Sequence, residues 1–294
     1  MQGDQQMFEG AYTAIVTPFD RKGQVDYGKL RALIELQVAA GIDGIVPVGT
    51  TGESPTLDFS EHKLVIESAI KAAAGRIKVI AGTGANSTSE AVELTRFGAG
   101  AGADGSLQVT PYYNKPTQEG LYRHFSMVAD IGLPVVLYNI PGRCGLEIAL
   151  ETIFRLARHP KIAAVKEAAG SVTRVSRIAG GCDLTVLSGD DPLTLPMMIA
   201  GASGVISVAA NVAPDAVAGM VHHALAGRWA EAAALHRKYF SLFEAMFLET
   251  NPIPIKAAMA MRGLIEETYR MPLCEMTPGN REKLAKTLQE TLRP

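Results

Sequence analysis

The stretch Ile162–Gly170 reads IAAVKEAAG and places a lysine, Lys166, at the end of an apolar run. The first four residues predict a buried parallel strand, because such strands are apolar on both faces. Burial disfavours an ammonium group and lowers its pKa, and a neutral amine is a nucleophile towards ketones and aldehydes. The alternative is a solvated lysine that pairs with Glu167 at the strand end. The stretch alone favours neither interpretation, so the rest of the chain must decide.

The composition is that of an ordinary globular protein with a sizeable core. The chain has 294 residues, of which 47% are hydrophobic and 20% charged. This length suits two small domains or one large barrel. The formal net charge is -2 and no basic block is present, so we expect neither a nucleic-acid partner nor an anionic membrane surface.

The cysteines and the first residues favour a cytoplasmic protein. Cys144, Cys182 and Cys274 are odd in number and widely spaced, which argues against a disulfide framework and against a zinc site. The first ten residues, MQGDQQMFEG, lack the basic and apolar regions of a signal peptide. The uncharged stretch Pro192–Pro214 is long enough to span a membrane. Internal proline and glycine residues interrupt it, so we expect a short buried helix followed by a buried strand.

Short apolar runs alternate with helical stretches along most of the chain. The apolar runs are Ala14–Pro18, Gly44–Gly49, Lys78–Gly84, Ser106–Tyr112, Pro134–Asn139, Ile162–Glu167, Thr185–Gly189 and Val205–Ala209. The helical stretches between them are Asp26–Ala40, Ser60–Ala74 with Ser60 as its N-cap, Ser89–Ala101, Gln118–Ile131, Leu150–His159, Val172–Ala179, Leu193–Ala200 and Asp215–Ala226. Eight such units favour an α/β fold of the (β/α)8 TIM-barrel type over an open doubly wound sheet. The first turn, TPFDRKG, also lacks the dinucleotide fingerprint that an open sheet would carry.

The last part of the chain contains no further strand pattern. Arg228–Leu248, Ile253–Ile265 and Pro278–Leu292 read as helices. We therefore expect a catalytic barrel over residues 1–226 and a C-terminal helical region over residues 227–294. That region would pack on the barrel or on a neighbouring subunit.

Polar and aromatic residues follow the predicted strands, which is where a barrel of this kind carries its chemistry. The Gly49–Ser54 turn, GTTGES, offers backbone N–H groups and hydroxyls that suit a small carboxylate, although a plain tight turn is the alternative. Tyr138 ends the strand before that of Lys166 and could pass protons, or could be a core tyrosine. Arg143 follows it and could hold a carboxylate, or be solvated. The clustering of polar and aromatic residues at the strand ends favours the interpretation of Lys166 as a reactive lysine.

Two aspartates follow the seventh strand and could suggest a metal site. Asp190 and Asp191 precede Pro192, and proline is favoured at the first position of a helix. We therefore expect Asp191 to cap a helix that begins at Pro192, and we expect no metal.

With these motifs, the chain resembles the dihydrodipicolinate synthase branch of the pyruvate-dependent class I aldolases, over essentially its whole length. The motifs are AIVTPF (14–19), GTTGES (49–54), VIAGTGAN (79–86), VTPYYNKP (109–116), YNIPGR (138–143), VKEA (165–168), SGDD (188–191), GVISV (204–208) and NPIP (251–254). The number and order of these motifs are specific to this branch, although GTTGE alone is shared with sister lyases.

The resemblance implies a role for each matching residue. Lys166 matches the lysine that forms a Schiff base with pyruvate, and Tyr138 matches the tyrosine that donates and accepts protons. Thr50 and Tyr113 match its proton-relay partners, with Tyr113 contributed across a tight dimer. Four further positions match substrate-binding residues: Thr51, Gly189 and Ile206 for pyruvate, and Arg143 for the carboxylate of the second substrate.

The resemblance further implies a lyase that condenses pyruvate with L-aspartate 4-semialdehyde in the first committed step of diaminopimelate and lysine biosynthesis. It implies a homotetramer built from two tight dimers, and no cofactor. The alternative is a sister lyase acting on N-acetylneuraminate or a 2-keto-3-deoxy sugar acid. A binding protein on a retired barrel would have no reason to keep the catalytic set.

Feedback inhibition by L-lysine is a further expectation from the resemblance. The positions that match the family's lysine pocket are Ser54, Pro55, Phe59, His62, Asn86, Glu90 and Tyr112. Phe59 stands where a histidine is common, and Pro55 replaces a small residue. The alternative is that His62 and Glu90 are solvated helix residues.

Overall fold

The computed structural model describes residues 7–292, and within them eight parallel strands close into a barrel. The strands are β1 (Gly10–Thr13), β2 (Gly44–Ile45), β3 (Lys78–Gly82), β4 (Gly105–Val109), β5 (Val135–Asn139), β6 (Ile162–Glu167), β7 (Thr185–Ser188) and β8 (Gly204–Ser207). Each strand neighbours the next one in chain order. The predicted (β/α)8 TIM barrel is confirmed.

Helices follow the strands, and a helical segment follows the barrel. The helices are α1 (Tyr27–Ala39), α2 (Phe59–Ala73), α3 (Thr88–Ala101), α4 (Gln118–Ala129), α5 (Pro141–Cys144), α6 (Leu150–Leu156), α7 (Val172–Ala179), α8 (Thr194–Ile199), α9 (Pro214–Leu225), α10 (Trp229–Ala245), α11 (Ile253–Met261) and α12 (Pro278–Thr291). The last three confirm the predicted C-terminal helical extension.

The described chain groups into two compact units. One contains Ile80–Ile206 together with the residues before Ala11, and the other contains Ala11–Val79 together with the residues from Ser207 onwards. The C-terminal helices therefore belong to the same unit as α1 and α2. The division into residues 1–226 and 227–294 stays a prediction, and residues 1–6 and 293–294 of those ranges lie outside the described part.

The first strand lies earlier than the sequence predicts. It covers Gly10–Thr13, whereas the apolar run Ala14–Pro18 predicts a strand four residues later. Ala14 and Ile15 still donate their backbone N–H groups to Ser207 O and Val46 O, at 2.8 and 3.2 Å. The N–H of Val16 goes instead to the side chain of Asn211, at 3.1 Å. The run therefore leaves the sheet although it stays buried, and apolar character alone does not separate the two cases.

Helix α2 begins one residue earlier than the sequence predicts, and its N-cap is Asp58 rather than Ser60. Asp58 Oδ1 accepts from the backbone N–H of Ser60, at 2.9 Å, and of Glu61, at 2.8 Å. Glu61 Oε2 accepts in return from the N–H of Asp58, which completes a capping box. Both residues favour the cap position, and the reciprocal carboxylate of Glu61 selects Asp58.

The uncharged stretch Pro192–Pro214 contains α8 and β8, as predicted. Neither element approaches the length of a membrane span. Across residues 7–292, the structure contains no helix that is both long and apolar enough to cross a membrane.

Candidate active site

Lys166 is a buried lysine at the carboxyl end of β6. It pairs in register with Tyr138 of β5 on one side and with Leu187 of β7 on the other, and only 6% of its surface is exposed. Burial lowers the pKa of Lys166 to about 7, while the carboxylate of Asp191 raises it and the guanidinium of Arg143 lowers it. A large fraction of this amine is therefore neutral at neutral pH, as a nucleophile requires.

Tyr138 faces the same amine. Lys166 Nζ lies 4.2 Å from the centroid of the Tyr138 ring, and the tyrosine is 4% exposed. Adjacent parallel strands in register place the two side chains on the same side of the sheet. The sequence left open whether Tyr138 is a core residue or a proton carrier, and its position beside Lys166 favours the second interpretation.

Gly189 leaves room for the lysine side chain. A Cβ atom at this position would lie 3.0 Å from Lys166 Cε and 2.7 Å from the Cβ of Ala168. A larger residue would therefore crowd the side chain of Lys166. Ile206 is buried in β8 and belongs to the same compact unit.

Asp191 was predicted to cap a helix, and this prediction is wrong. It opens a short 3-10 helix, Asp191–Leu193, whose N-cap is Asp190, while α8 begins only at Thr194. Asp191 is 3% exposed, and its negative charge acts on Lys166. The position of the aspartate pair, directly after a barrel strand, is a sequence signal that Asp191 belongs to the candidate active site.

Glu167 does not pair with Lys166, so the alternative interpretation of a solvated lysine paired with Glu167 is wrong. Successive residues of a strand point to opposite faces. Glu167 is fully buried and accepts hydrogen bonds from Asn139 Nδ2, at 2.9 and 3.1 Å, and from Arg174 Nε, at 2.9 Å. Ile148 donates its backbone N–H to Asn139 Oδ1, at 3.0 Å. This cluster, Asn139, Glu167 and Arg174, fixes the segment that carries Arg143.

Arg143 and Tyr113 lie in exposed positions of the same unit. Arg143 belongs to the short helix α5, and its charge reaches Lys166. Tyr113 follows β4, is 90% exposed and has a left-handed backbone with φ of 72°. Such a conformation is uncommon for an aromatic residue, and so large an exposed ring is typical of a contact surface.

Thr50 and Thr51 lie in the turn after β2, within the other unit. The turn is closed by hydrogen bonds from the N–H of Gly52 to Gly49 O, at 3.1 Å, and of Glu53 to Thr50 O, at 3.1 Å. Within the described residues, neither Thr50 nor Thr51 donates its backbone N–H to another backbone carbonyl. The two N–H groups could therefore serve an anion, and the predicted anion-binding role of this turn stays a prediction.

The candidate lysine-pocket residues are distributed over both units. Asn86 Nδ2 donates to the backbone oxygen of Tyr112, at 3.2 Å. Burial raises the pKa of Tyr112, and the charge of Glu90 raises it further. In the other unit, Ser54 begins a 3-10 helix and His62 is buried in α2. His62 is therefore not the solvated helix residue of the alternative interpretation.

Among residues 7–292, no group of three or more histidine, cysteine, aspartate or glutamate side chains is arranged to hold a metal ion. Cys144, Cys182 and Cys274 are free thiols in this part of the chain. Burial raises the pKa of Cys144 to about 11, so its thiol is a poor nucleophile at neutral pH.

The chain is similar to known synthases in both sequence and structure. A 4-hydroxy-tetrahydrodipicolinate synthase from Syntrophotalea carbinolica is 51% identical over 285 residues, which are 96% of this chain and 97% of the relative. The chloride-inhibited dihydrodipicolinate synthase of Acinetobacter baumannii, solved in complex with pyruvate, is 44% identical with a TM-score of 0.94, over 96% of this chain and 98% of that chain. The DHDPS of Cyanidioschyzon merolae, solved with lysine bound, is 41% identical with a TM-score of 0.94, over 98% of this chain and 99% of that chain.

The family comparison covers nearly the whole chain. The Dihydrodipicolinate synthetase family matches residues 7–291, which include every candidate catalytic residue described above. The chain therefore belongs to the Dihydrodipicolinate synthetase family.

Proposed function

We propose that this protein is a lyase that condenses pyruvate with L-aspartate 4-semialdehyde through an imine on Lys166. The observation that carries the proposal is the buried Lys166 amine, whose pKa is about 7 and which lies 4.2 Å from the ring centroid of Tyr138. The relative from Syntrophotalea carbinolica, named 4-hydroxy-tetrahydrodipicolinate synthase, and the Acinetobacter baumannii enzyme solved in complex with pyruvate support the proposal.

The reaction proceeds by proton transfers at the lysine nitrogen and the substrate carbons. Lys166 Nζ attacks the ketone of pyruvate, and loss of water gives an imine. The protonated imine withdraws electrons, so the methyl group releases a proton and an enamine forms. The enamine attacks the aldehyde carbon of the semialdehyde. The amine of the product then displaces Lys166 and closes the ring, which returns the free lysine.

The other residues supply protons and binding contacts. Tyr138 passes protons to and from the reacting atoms, with Thr50 and Tyr113 as its relay partners. Thr51, Gly189 and Ile206 are the proposed pyruvate-binding positions. The guanidinium of Arg143 holds the carboxylate of the semialdehyde. These roles rest on the family resemblance, and the burial of Lys166 and Tyr138 supports the central two.

The substrate choice is tested by comparing turnover on two sets of substrates. We expect pyruvate with L-aspartate 4-semialdehyde to be turned over, and N-acetylneuraminate or a 2-keto-3-deoxy sugar acid to be cleaved at most slowly. Faster cleavage of a sugar acid would assign the chain to a sister lyase.

We also propose inhibition by L-lysine at a site outside the barrel mouth. The relative from Cyanidioschyzon merolae, solved with lysine bound, supports it. Ser54, His62, Asn86, Glu90 and Tyr112 are the proposed contact residues. Phe59 removes a hydrogen-bonding group that the family often has, so weak inhibition is expected. Titrating lysine against steady-state turnover tests the proposal, and full activity at millimolar lysine would contradict it.

The proposed assembly is a homotetramer of two tight dimers, in the cytoplasm. The exposed ring of Tyr113, with its left-handed backbone, supports a contact with a second copy. The three free cysteines of the described chain support a reducing compartment.

A further inference from the structure

The turn that carries Thr50 and Thr51 is held by residues of the C-terminal helical segment. Asn251, just before α11, donates from Nδ2 to Thr51 Oγ1 at 3.0 Å. Both residues are at least 94% buried, since Thr51 is 3% exposed and Asn251 is 6% exposed. The two residues are 200 positions apart, so this buried hydrogen bond fixes the turn against a distant part of the chain.

The direction of this hydrogen bond decides what the Thr51 hydroxyl can do. An amide NH2 group only donates, so the Thr51 oxygen must accept. Its own hydrogen then points elsewhere and is available for an anion. A hydroxyl that is held as an acceptor on one side is thus presented as a donor on the other.

A second contact anchors the same turn two residues later. Lys256 of α11 and Glu53 form a fully buried ion pair, and the backbone N–H of Arg270 donates to Glu53 Oε2 at 3.2 Å. Glu53 has a left-handed backbone, with φ of 55°. A buried ion pair costs desolvation energy that only good geometry repays, so this pair serves better to fix a conformation than to add stability.

We propose that Asn251 is a positioning residue that holds the Thr51 hydroxyl as a donor to the carboxylate of pyruvate. The proposal rests on the proposed function, since it needs pyruvate as the ligand of this turn. The pair of Glu53 and Lys256 keeps the turn in the conformation that makes the contact. The C-terminal segment is thereby part of the pyruvate-binding apparatus, although its residues touch no substrate.

The test measures the pyruvate concentration that half-saturates borohydride trapping in Asn251→Ala and Asn251→Asp. The first variant removes the donor, and the second replaces it with a group of the same shape that accepts hydrogen bonds. We expect the half-saturating concentration to rise about tenfold in Asn251→Ala, which is the effect of one lost hydrogen bond, and further in Asn251→Asp. The KM for the semialdehyde should stay within about twofold in both. The matched control is Asn280→Ala, since Asn280 donates to Glu249 at 3.0 Å, and it should behave as wild type.

A double-mutant cycle separates positioning from a general structural role. In a Thr51→Val background, Asn251→Ala should raise the half-saturating pyruvate concentration no further, because the hydroxyl that it orients is gone. Equal effects of Asn251→Ala in both backgrounds would overturn the proposal, as would unchanged pyruvate saturation in either single variant. If one single variant does not fold, the other alone decides. Failure of trapping in the wild type would instead refute the proposed function.

Discussion

At the scale of single residues, the proposed chemistry depends on the charge of the Lys166 amine. Burial is the largest influence on Lys166, and Asp191 and Arg143 act on it in opposite directions. The three residues come from β6, the 3-10 helix after β7 and the helix after β5. The reactivity of the lysine is therefore adjustable by substitutions that leave its own position intact.

The first prediction concerns the pH dependence of kcat/KM for pyruvate at saturating semialdehyde. Because only the neutral amine attacks, kcat/KM should rise with pH through a midpoint of about 7. Asp191→Asn removes a charge that favours the ammonium, so the midpoint should move to lower pH. Arg143→Gln removes a charge that opposes it, so the midpoint should move to higher pH. Midpoints that shift in the same direction would contradict this electrostatic account.

The second prediction concerns the hydroxyl of Tyr138. Tyr138→Phe should lower kcat at least about a hundredfold, because a general acid–base group typically contributes 10²–10⁴-fold. The ring stays in place, so borohydride should still trap pyruvate on the enzyme. Tyr239→Phe, at a buried tyrosine of α10, is a matched control. Near-normal turnover of Tyr138→Phe would remove the residue from proton transfer.

The main residues of the candidate active site could be predicted from the sequence, but some of the contacts around them could not. Lys166 in an apolar strand is visible as an anomaly, and Tyr138 is visible as the end of the neighbouring strand. Asp191 resembles a helix cap in the sequence, because capping rules use only neighbouring residues. They do not include the buried amine of Lys166, on which the charge of Asp191 acts. Asn251 and Thr51 are 200 residues apart, and no local pattern predicts their contact.

At the scale of elements, side chains on the other face of β6 fix the loop after β5. Glu167 accepts from Asn139 and Arg174, and Asn139 in turn accepts from the backbone of Ile148. Arg174 also donates to the backbone oxygen of Ile148. The loop between β5 and α6 carries Arg143, so the position of Arg143 depends on the buried carboxylate of Glu167.

The third prediction tests the contribution of this carboxylate to stability. Glu167→Ala should lower the free energy of unfolding by about 3 kcal/mol, because it leaves Arg174 as a buried charge without its inner partner. Urea unfolding at one fixed protein concentration measures the change. Glu119→Ala, at an exposed carboxylate that pairs with Arg123 and Arg155, is the control and should change stability far less. Equal losses would mean that the buried cluster has no special role.

Element positions follow the sequence closely where hydrophobic period and capping agree. Ile162–Glu167 and Val172–Ala179 have the predicted bounds, because turn residues delimit both. The first strand is misplaced because the buried run Ala14–Pro18 continues past the end of the ladder. Burial and strand pairing are separate properties, and an apolar run predicts burial without showing where the pairing stops.

At the scale of the whole molecule, the barrel is predictable from repetition and the C-terminal segment is not. Eight strand–helix units specify the closed sheet. The C-terminal helices are recognisable as helices, but their grouping with the first strands depends on buried polar contacts such as that of Lys256 with Glu53. Sequence patterns do not report such pairings.

The fourth prediction concerns sharing of a site between two copies. Tyr113→Phe and Lys166→Ala should each be strongly impaired alone. If Tyr113 serves a neighbour's site, a mixed dimer contains one intact site, and random mixing should restore about a quarter of wild-type activity. Mixing Lys166→Ala with Tyr138→Phe is the control and should restore nothing, because both residues serve the same chain's site. No recovery in verified Tyr113 mixtures would contradict a shared site.

Every proposed role depends on the imine between pyruvate and Lys166, and borohydride trapping detects that imine. The wild-type protein is incubated with pyruvate, reduced with borohydride and digested, and the peptides are analysed by mass spectrometry. We expect one added pyruvyl group, after reduction, on the peptide that contains Lys166, and no such addition in Lys166→Ala. Labelling at another lysine, such as the buried Lys256, or no labelling at all would contradict an imine on Lys166.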